Sequence, residues 1–497
     1  MSGVARRFDN YLANVASDKL KLMARVWGGT SQLRKGECIA VICRGLEDPH
    51  RVHAVVAGLS PFERTALALI KQMGGEIEAH ALAVGLISSG VEFPSRLISP
   101  YGNSVDAIFN HLFRRGLVFS AYAYDPGYLS GYSSSMDVFS DERLLGEVGL
   151  PEIVPFEIPA ATPPPTSSHR RPQTVSLNII SVLQAIENLG GLSVTKSGSV
   201  RSTEERKLMR AMNWEENEIG VDGFRFPNPA QAWLSVLRLA EILKLQDGRL
   251  VLSESPEQFA VRPYAEQIRS ILVGFICTRS WNEQWNERWQ SYHPEYYSVA
   301  RLALWISLIA IPMSEHGWVS INDLDKAMFD RIGEHFSLDY LPSRPYSFSK
   351  TSEQIRKEEE EWRVRLRFNW LKRERKWLEQ AFTSWLYFLG LVGLGMDRGS
   401  LVSFRLTDLG RSVLHPELSI QPERLDGENL TPWVVQPNFD VVVYLDRATP
   451  EKLAFLEKHA ERVQAQQHTA IYRLTRDSVY RALENTSSLE SLLAGLR

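Results

Sequence analysis

The densest concentration of binding chemistry in the chain lies between Arg356 and Lys376. Nine basic side chains stand there (Arg356, Lys357, Arg363, Arg365, Arg367, Lys372, Arg373, Arg375 and Lys376) against five acidic ones, with Trp362, Phe368 and Trp370 interleaved and Trp377 just beyond. Guanidinium and ammonium groups in such a run neutralise phosphates and release condensed counterions, the term that dominates DNA affinity. The aromatics suit stacking on unpaired bases. The same pattern also fits a long amphipathic helix with its tryptophans in the core and its charges solvated, held by i,i+4 pairs such as Glu359–Arg363. The two readings are compatible. Smaller cationic candidates are Arg34 and Lys35, and Arg114 and Arg115, the last two on a helix that also offers Asn103, Asn110 and His111.

Catalytic chemistry is hard to find. No HExxH, GxSxG or GxxxxGK[ST] pattern occurs, and the glycine clusters Gly28-Gly29-Thr30 and Gly393-Leu394-Gly395 lack the lysine that meets phosphates. Eleven histidines are scattered and read as surface residues, with His50 and His53 close together in a polar loop stretch. Cys38 and Cys43, five apart on an expected helix, read as packing residues rather than metal ligands. Asp323, Asp325 and Asp330 read as a helix cap and a solvated face. Trp281, Trp285 and Trp289 recur every four residues, as one buried helix face does. The expectation is a chain with no catalytic residues, no metal and no cofactor.

The composition bounds the class. The chain has 497 residues, 56 Lys+Arg against 59 Asp+Glu, a net charge of −3 and 3 cysteines. A protein whose whole surface served nucleic acid would be basic, so any DNA contact here must be local. Three cysteines make no disulfide framework. The longest apolar stretch, Val299 to Met313, is broken by Arg301, Ser307 and Pro312, short of the ~18 residues of a membrane span. The first residues lack the apolar core of a secretory signal. The expectation is a cytoplasmic protein without membrane contact.

The elements that must position these groups fall into tandem units of an α+β, mostly helical chain. Residues 1–59 hold two amphipathic helices around Gly28-Gly29 and Arg34-Lys35; this piece resembles a SAP-like DNA-contacting module and equally fits a plain helical hairpin. Residues 60–148 open with Ser60-Pro61-Phe62-Glu63, a capping box with proline at the first helical position. Two more helical stretches follow, then two strands at Gly116 to Ser120 and Met136 to Phe139. Three helices and a two-stranded wing make the winged-helix order. Residues 149–173 carry seven prolines and read as an exposed extended linker. A second winged helix is expected over 174–262, with Asp247-Gly248 as its hairpin turn; its helix before the wing shows Gln231 and Arg238 and is poor for base reading. A third spans 263–414, contains the charged helical insert and closes with a short helix capped by Thr407. After a linker at 415–430, residues 431–497 read as a small β-α-β-α-α domain, with one strand over Trp433–Tyr444 and a helix from Pro450 to Val463.

The motif "VVQPNFDVVVYLD", followed about 30 residues later by "YRLTRDSVYRAL", resembles the helicase-associated domain related to the N-terminal region of XPB-type DNA helicases. The match covers Pro432 to Leu496, and "FRLTDLGRSVL" upstream is also found in bacterial proteins of this group, which often carry winged helices before it. The resemblance implies DNA transactions and docking to a helicase or helicase-complex subunit. Phe439, Val441, Val443, Tyr472, Leu474 and Tyr480 are the residues it would place at the docking surface. This chain departs from the family in having no motor, so the ATPase activity does not carry over. Without the motor it looks most like the partner subunit, itself built from winged helices.

The expected function is a non-enzymatic accessory subunit that contacts DNA through its phosphates, with weak sequence preference, and docks on a helicase or nuclease in bacterial DNA repair or anti-phage defence. Two alternatives stay open: a winged-helix scaffold that binds only proteins, and a winged-helix transcription regulator.

Overall fold

The computed structural model describes residues 11–30, 32–94, 104–120, 137–168, 172–195, 199–212, 218–219, 224–225, 229–284, 295–312, 317–338, 350–418, 431–445, 447–465, 469–484 and 488–496. It is an α+β structure, mostly helical, with small antiparallel sheets. Two compact units are each assembled from separate stretches: Met1–Ile158, Ser291–Met313 and Asp323–Arg375 in unit 1, and Pro159–Gln290, Ser314–Asn322 and Lys376–Arg497 in unit 2.

Unit 1 begins with α1 (Ser17–Val26), α2 (Lys35–Glu47) and α3 (Pro49–Ala57). The stretch with His50 and His53, expected as a loop, is thus a helix, started by Pro49 and the Asp48 cap. Trp27 is fully buried beside them, and a side chain at Gly45 would collide with its ring, so α2 can approach only because that position is glycine. Then come α4 (Pro61–Gln72), β1 (Glu76–Glu78), α5 (Ala79–Ser89), α6 (Ser104–Arg114), β2 (Phe119–Ser120), β3 (Asp137–Phe139) and α7 (Glu142–Glu147). The capping box at α4 is formed: Glu63 N–H donates to Ser60 Oγ at 3.3 Å and Ser60 N–H to Glu63 Oε2 at 3.0 Å. β3 pairs with both β1 and β2. Asn103 and Met136, expected in this region, lie outside the described residues.

The proline-rich stretch that follows is extended, as expected, but it is engaged rather than free. In unit 1, Val154 N–H donates to Ser89 O and Phe156 N–H to Ala310 O, both at 2.7 Å. Arg331 lies 4.1 Å from the Phe156 ring centroid and donates to the carbonyls of Ser88 and Val154. In unit 2 the same stretch supplies β4 (Ala160–Ala161) and β5 (Thr166–Ser168). Proline fixes φ but leaves the amides between prolines free to pair, and an extended backbone satisfies them best along a sheet edge.

Unit 2 continues with α8 (Pro172–Asn188), β6 (Leu192–Ser193), α9 (Ser202–Met212), the short pair β7 (Glu218–Ile219) and β8 (Phe224–Arg225), α10 (Pro229–Leu239), β9 (Leu243–Gln246), β10 (Arg249–Leu252), α11 (Pro256–Ala260) and α12 (Tyr264–Cys277). Asp247 and Gly248 turn the β9–β10 hairpin with φ of 49° and 73°, the left-handed pair that a two-residue hairpin needs. Of the tryptophan series, Trp281 is buried, but it lies in a non-helical stretch beyond the end of α12, which corrects the expected helix face at that position; Trp285 and Trp289 lie outside the described residues.

Next are α13 (Glu295–Ile309), β11 (Trp318–Ser320), α14 (Ile321–Ile332), α15 (Ser352–Lys372), α16 (Glu374–Ala381), a buried π-helical turn at Phe382–Leu386, β12 (Val392–Asp397), β13 (Ser400–Leu406) and α17 (Asp408–Leu414). In unit 1, α5 is apolar almost all round, which suits its burial against Leu302 and Ile306 of α13 at Gly85. In unit 2, the sheet runs β4-β11-β13-β12-β5, with a bulge between Gly395 and Met396. The chain between β4 and β5 passes over Gly395, where a Cβ would stand 2.5 Å from Pro164 Cγ.

A similar order of elements occurs three times, helix, strand, helices, hairpin, with the last strand in the middle of its sheet. Two helices precede the hairpin in the first, the β7–β8 pair is added between two helices in the second, and three helices (α14, α15 and α16) stand there in the third. The sheets are β1-β3-β2, β6-β10-β9 and β11-β13-β12, the last extended on both edges by β4 and β5.

The C-terminal part of unit 2 holds β14 (Trp433–Val435), β15 (Asp440–Tyr444), α18 (Pro450–His459), β16 (Glu461–Ala465), β17 (Thr469–Arg473), α19 (Arg476–Glu484) and α20 (Leu489–Leu496). The sequence reading of one strand over Trp433–Tyr444 is corrected here to a hairpin. Pro437 has no N–H to continue a ladder, Asn438 accepts from Asp440 N–H, and Phe439 turns the chain at φ 67°. The expected helix to Val463 ends at His459, and Glu461–Ala465 forms a further edge strand. The sheet order is β14-β15-β17-β16.

Candidate nucleic-acid interface

Helix α15 carries the charged run. Thr351 caps it: Gln354 N–H donates to Thr351 Oγ1 at 3.3 Å, and Gln354 Oε1 accepts from Thr351 N–H at 3.0 Å. Trp362, Leu366 and Trp370, spaced i, i+4, i+8, form one buried face. These tryptophans therefore belong to the core, and only Phe368 of the interleaved aromatics on α15 is exposed. Trp377 is buried in unit 2, where its indole N–H and that of Trp385 donate to the two oxygens of the buried Glu283 carboxylate, both at 2.9 Å.

Asp325 of α14 anchors α15. Its carboxylate, 2% exposed, accepts from Trp370 Nε1–H at 2.7 Å and from Arg367 Nη2–H at 2.8 Å. The Arg367 guanidinium also lies 4.8 Å from the Phe329 centroid, and Phe329 meets Trp370 edge-on at 5.5 Å. Arg367 is thus committed to the fold, and Asp325 serves the same contact rather than a solvated face. Arg363 pairs with Glu334 at 3.0 Å on the surface.

The remaining cations are more available. Arg365 and Lys376 are exposed, with no ion pair among the described residues. Lys372 is exposed and its ammonium lies 4.1 Å from the Phe368 ring centroid. Arg373 and Arg375 are half-buried and take part in contacts of their own. The acidic residues Glu353 and Glu358 to Glu361 occupy the first half of α15 together with the exposed Arg356 and Lys357, whereas the second half holds Arg363, Arg365, Arg367 and Lys372 and no acid. That order complements the helix dipole while concentrating positive charge at one end.

Elsewhere, Arg34 and Lys35 are exposed at the start of α2, and Arg114 is exposed on α6. Arg115 is not a free phosphate contact. Its Nη1 lies 3.1 Å from the buried carboxylate of Glu63, and His111 Nε2 lies 3.0 Å from the same oxygen. Burial raises the Glu63 pKa, but the hydrogen bonds from His111 and Ser60 and the charge of Arg115 outweigh it and hold the group at about 2. Gln231 and Arg238 are exposed on α10. Burial pushes the Cys38 thiol up, and no group of three potential metal ligands occurs among the described residues.

The six residues expected to dock a partner divide by environment. Val441, Val443 and Tyr472 are fully buried in the core under α18, so they hold the domain together and cannot meet a partner. Burial drives the Tyr472 phenol well up, and its O–H donates to Glu457 at 2.8 Å. Leu474 packs partly against the same core. Phe439 and Tyr480 are exposed. Phe439, 65% exposed, is held in its left-handed turn by Leu474 N–H donating to its carbonyl and by the Arg473–Asp440 pair beside it. Sequence reasoning missed Val434, Val442 and Ile471, which stand in register on the sheet face opposite the core. The two-residue period of a strand assigns them to that face, but the unbroken run Val441-Val442-Val443 masks it in the sequence. Among the described residues, no helix is long and apolar enough to cross a membrane. Compared with known proteins, the chain matches no family model and no curated relative.

Proposed function

We propose that this chain is a non-enzymatic accessory subunit that contacts DNA through the basic half of α15 and docks on a helicase or nuclease motor. The observation that carries the reading is the pair of exposed cations Arg365 and Lys372 beside an exposed aromatic, on a helix anchored from its other face. The recurring order of helix, strand, helices and hairpin supports tandem winged helices, units that commonly contact DNA or protein. The resemblance of the C-terminal domain to the XPB-related helicase-associated domain supports docking through its open sheet face and Phe439. Repair or defence against foreign DNA is the setting that suits such a subunit.

A second reading, a scaffold whose winged helices bind only protein, is favoured by one observation: Glu63 consumes His111 and Arg115, which leaves α6 little charge for a groove. Fluorescence anisotropy on the whole chain separates the two. DNA binding with log Kobs falling linearly against log salt, between about 50 and 200 mM, is expected of the DNA subunit. No binding at the lowest salt is expected of the scaffold.

A further inference from the structure

We infer that the DNA form taken by α15 is single-stranded, with Phe368 as the platform for an unpaired base; this rests on the DNA reading above. Val364, Phe368 and Leu371 are 65%, 56% and 47% exposed. They stand at i, i+4 and i+7, on the side of α15 opposite Trp362, Leu366 and Trp370, so the core makes no use of them. A duplex keeps its base faces stacked and presents phosphates and polar groove edges, which would leave this stripe in water. An unpaired strand brings base faces that can cover it.

The charges beside the stripe fit one strand. Arg365 and Lys372 lie on the same side of it, about 10 Å apart along the axis at the helical rise. Arg367, on the other side, is tied to Asp325. The result is one rail of available cations next to one apolar stripe, which is the layout of a phosphate backbone with its bases turned to one side. Lys372, with its ammonium against the Phe368 ring, would set the base of the nucleotide it holds onto Phe368 and Leu371.

The test uses the whole chain, a fluorescein-labelled oligothymidine and a labelled duplex of equal length. Phe368→Ala is expected to weaken oligothymidine binding by about 5- to 100-fold, the worth of one stacked base, and to leave duplex binding and the melting temperature unchanged. Phe368→Trp is expected to keep the affinity and to show indole quenching by oligothymidine alone. If both DNA forms bind with salt dependence and Phe368→Ala alters neither, the platform is refuted while the DNA reading stands. If neither form binds at low salt, both fall. If Phe368→Ala abolishes self-association and leaves oligothymidine binding intact, the stripe is a helix–helix seam and the inference is overturned.

Discussion

Asp325 is the side chain whose removal most sharply separates the structural arginine of α15 from the available one. It accepts from two donors at once, the buried Trp370 indole and the Arg367 guanidinium. Asp325→Ala leaves the indole N–H buried and unpaired, at about 1–3 kcal/mol. Arg367, its side chain a third exposed, loses its partner in partly solvated surroundings, which adds only about 1 kcal/mol after screening. The expected loss is about 3 kcal/mol, or about 6–12 °C in the melting of a unit of this size. Asp325→Asn keeps an acceptor for the indole and gives up the charge, so its loss should be nearer 1 kcal/mol. Thermal unfolding followed by circular dichroism gives the ranking, and anisotropy below the transition gives DNA affinity. Arg367→Met should lower stability and leave the salt slope alone, because its guanidinium is already paired. Arg365→Ser should do the reverse. A melting temperature for Asp325→Ala equal to that of the native chain would refute the anchoring role. So would a fall in salt slope for Arg367→Met as large as for Arg365→Ser.

Three other outcomes follow from single positions. Glu63, with a folded pKa of about 2 against an ordinary value near 4.3, contributes about 3 kcal/mol that is fully present above pH 4.3 and lost as pH falls toward 2. The stability gap between the native chain and Glu63→Gln, measured by denaturant titration, should therefore close as pH falls from 5 to 2, and a constant gap would contradict the assignment. Gly395→Ala forces a methyl against Pro164 and Ser403 and should cost about 1–3 kcal/mol in chemical denaturation, whereas an unchanged midpoint would show that the crossing strap is not pinned there. Phe439→Gly should raise stability by about 1 kcal/mol through relief of its left-handed backbone while weakening partner docking, and a destabilised variant would show the exposed ring packs within the fold.

Local signals in the sequence are reliable where one element decides its own geometry. The Ser60–Glu63 box, the Asp247-Gly248 turn and the Thr407 cap are short-range hydrogen-bond and φ requirements, and each is formed as expected. Groups settled by distant parts of the chain are less legible. Nothing near Arg115 or Arg367 in sequence announces Glu63, 52 positions back, or Asp325, 42 positions back, yet those carboxylates decide whether the arginines can meet a phosphate. The strap from 149 to 168 has the composition of a linker because proline suits both free extended chain and sheet edges. Only its partners Ser89, Ala310 and β12 distinguish the two. In the C-terminal sheet, apolar residues on both faces hide the alternation. The sequence therefore points to Val441, Val443 and Tyr472 as surface, whereas Val434, Val442 and Ile471 form the open face.

The measurement that tests the central claim most directly is the salt dependence of oligothymidine binding by the native chain and by Arg365→Ser/Lys372→Ser. Both residues are exposed, so the variant should fold with an unchanged melting temperature. Removing two cations that each neutralise one phosphate of a single strand should reduce the slope of log Kobs against log salt by about 1.5. The same slope in both proteins, with equal affinity, would contradict a DNA contact at α15.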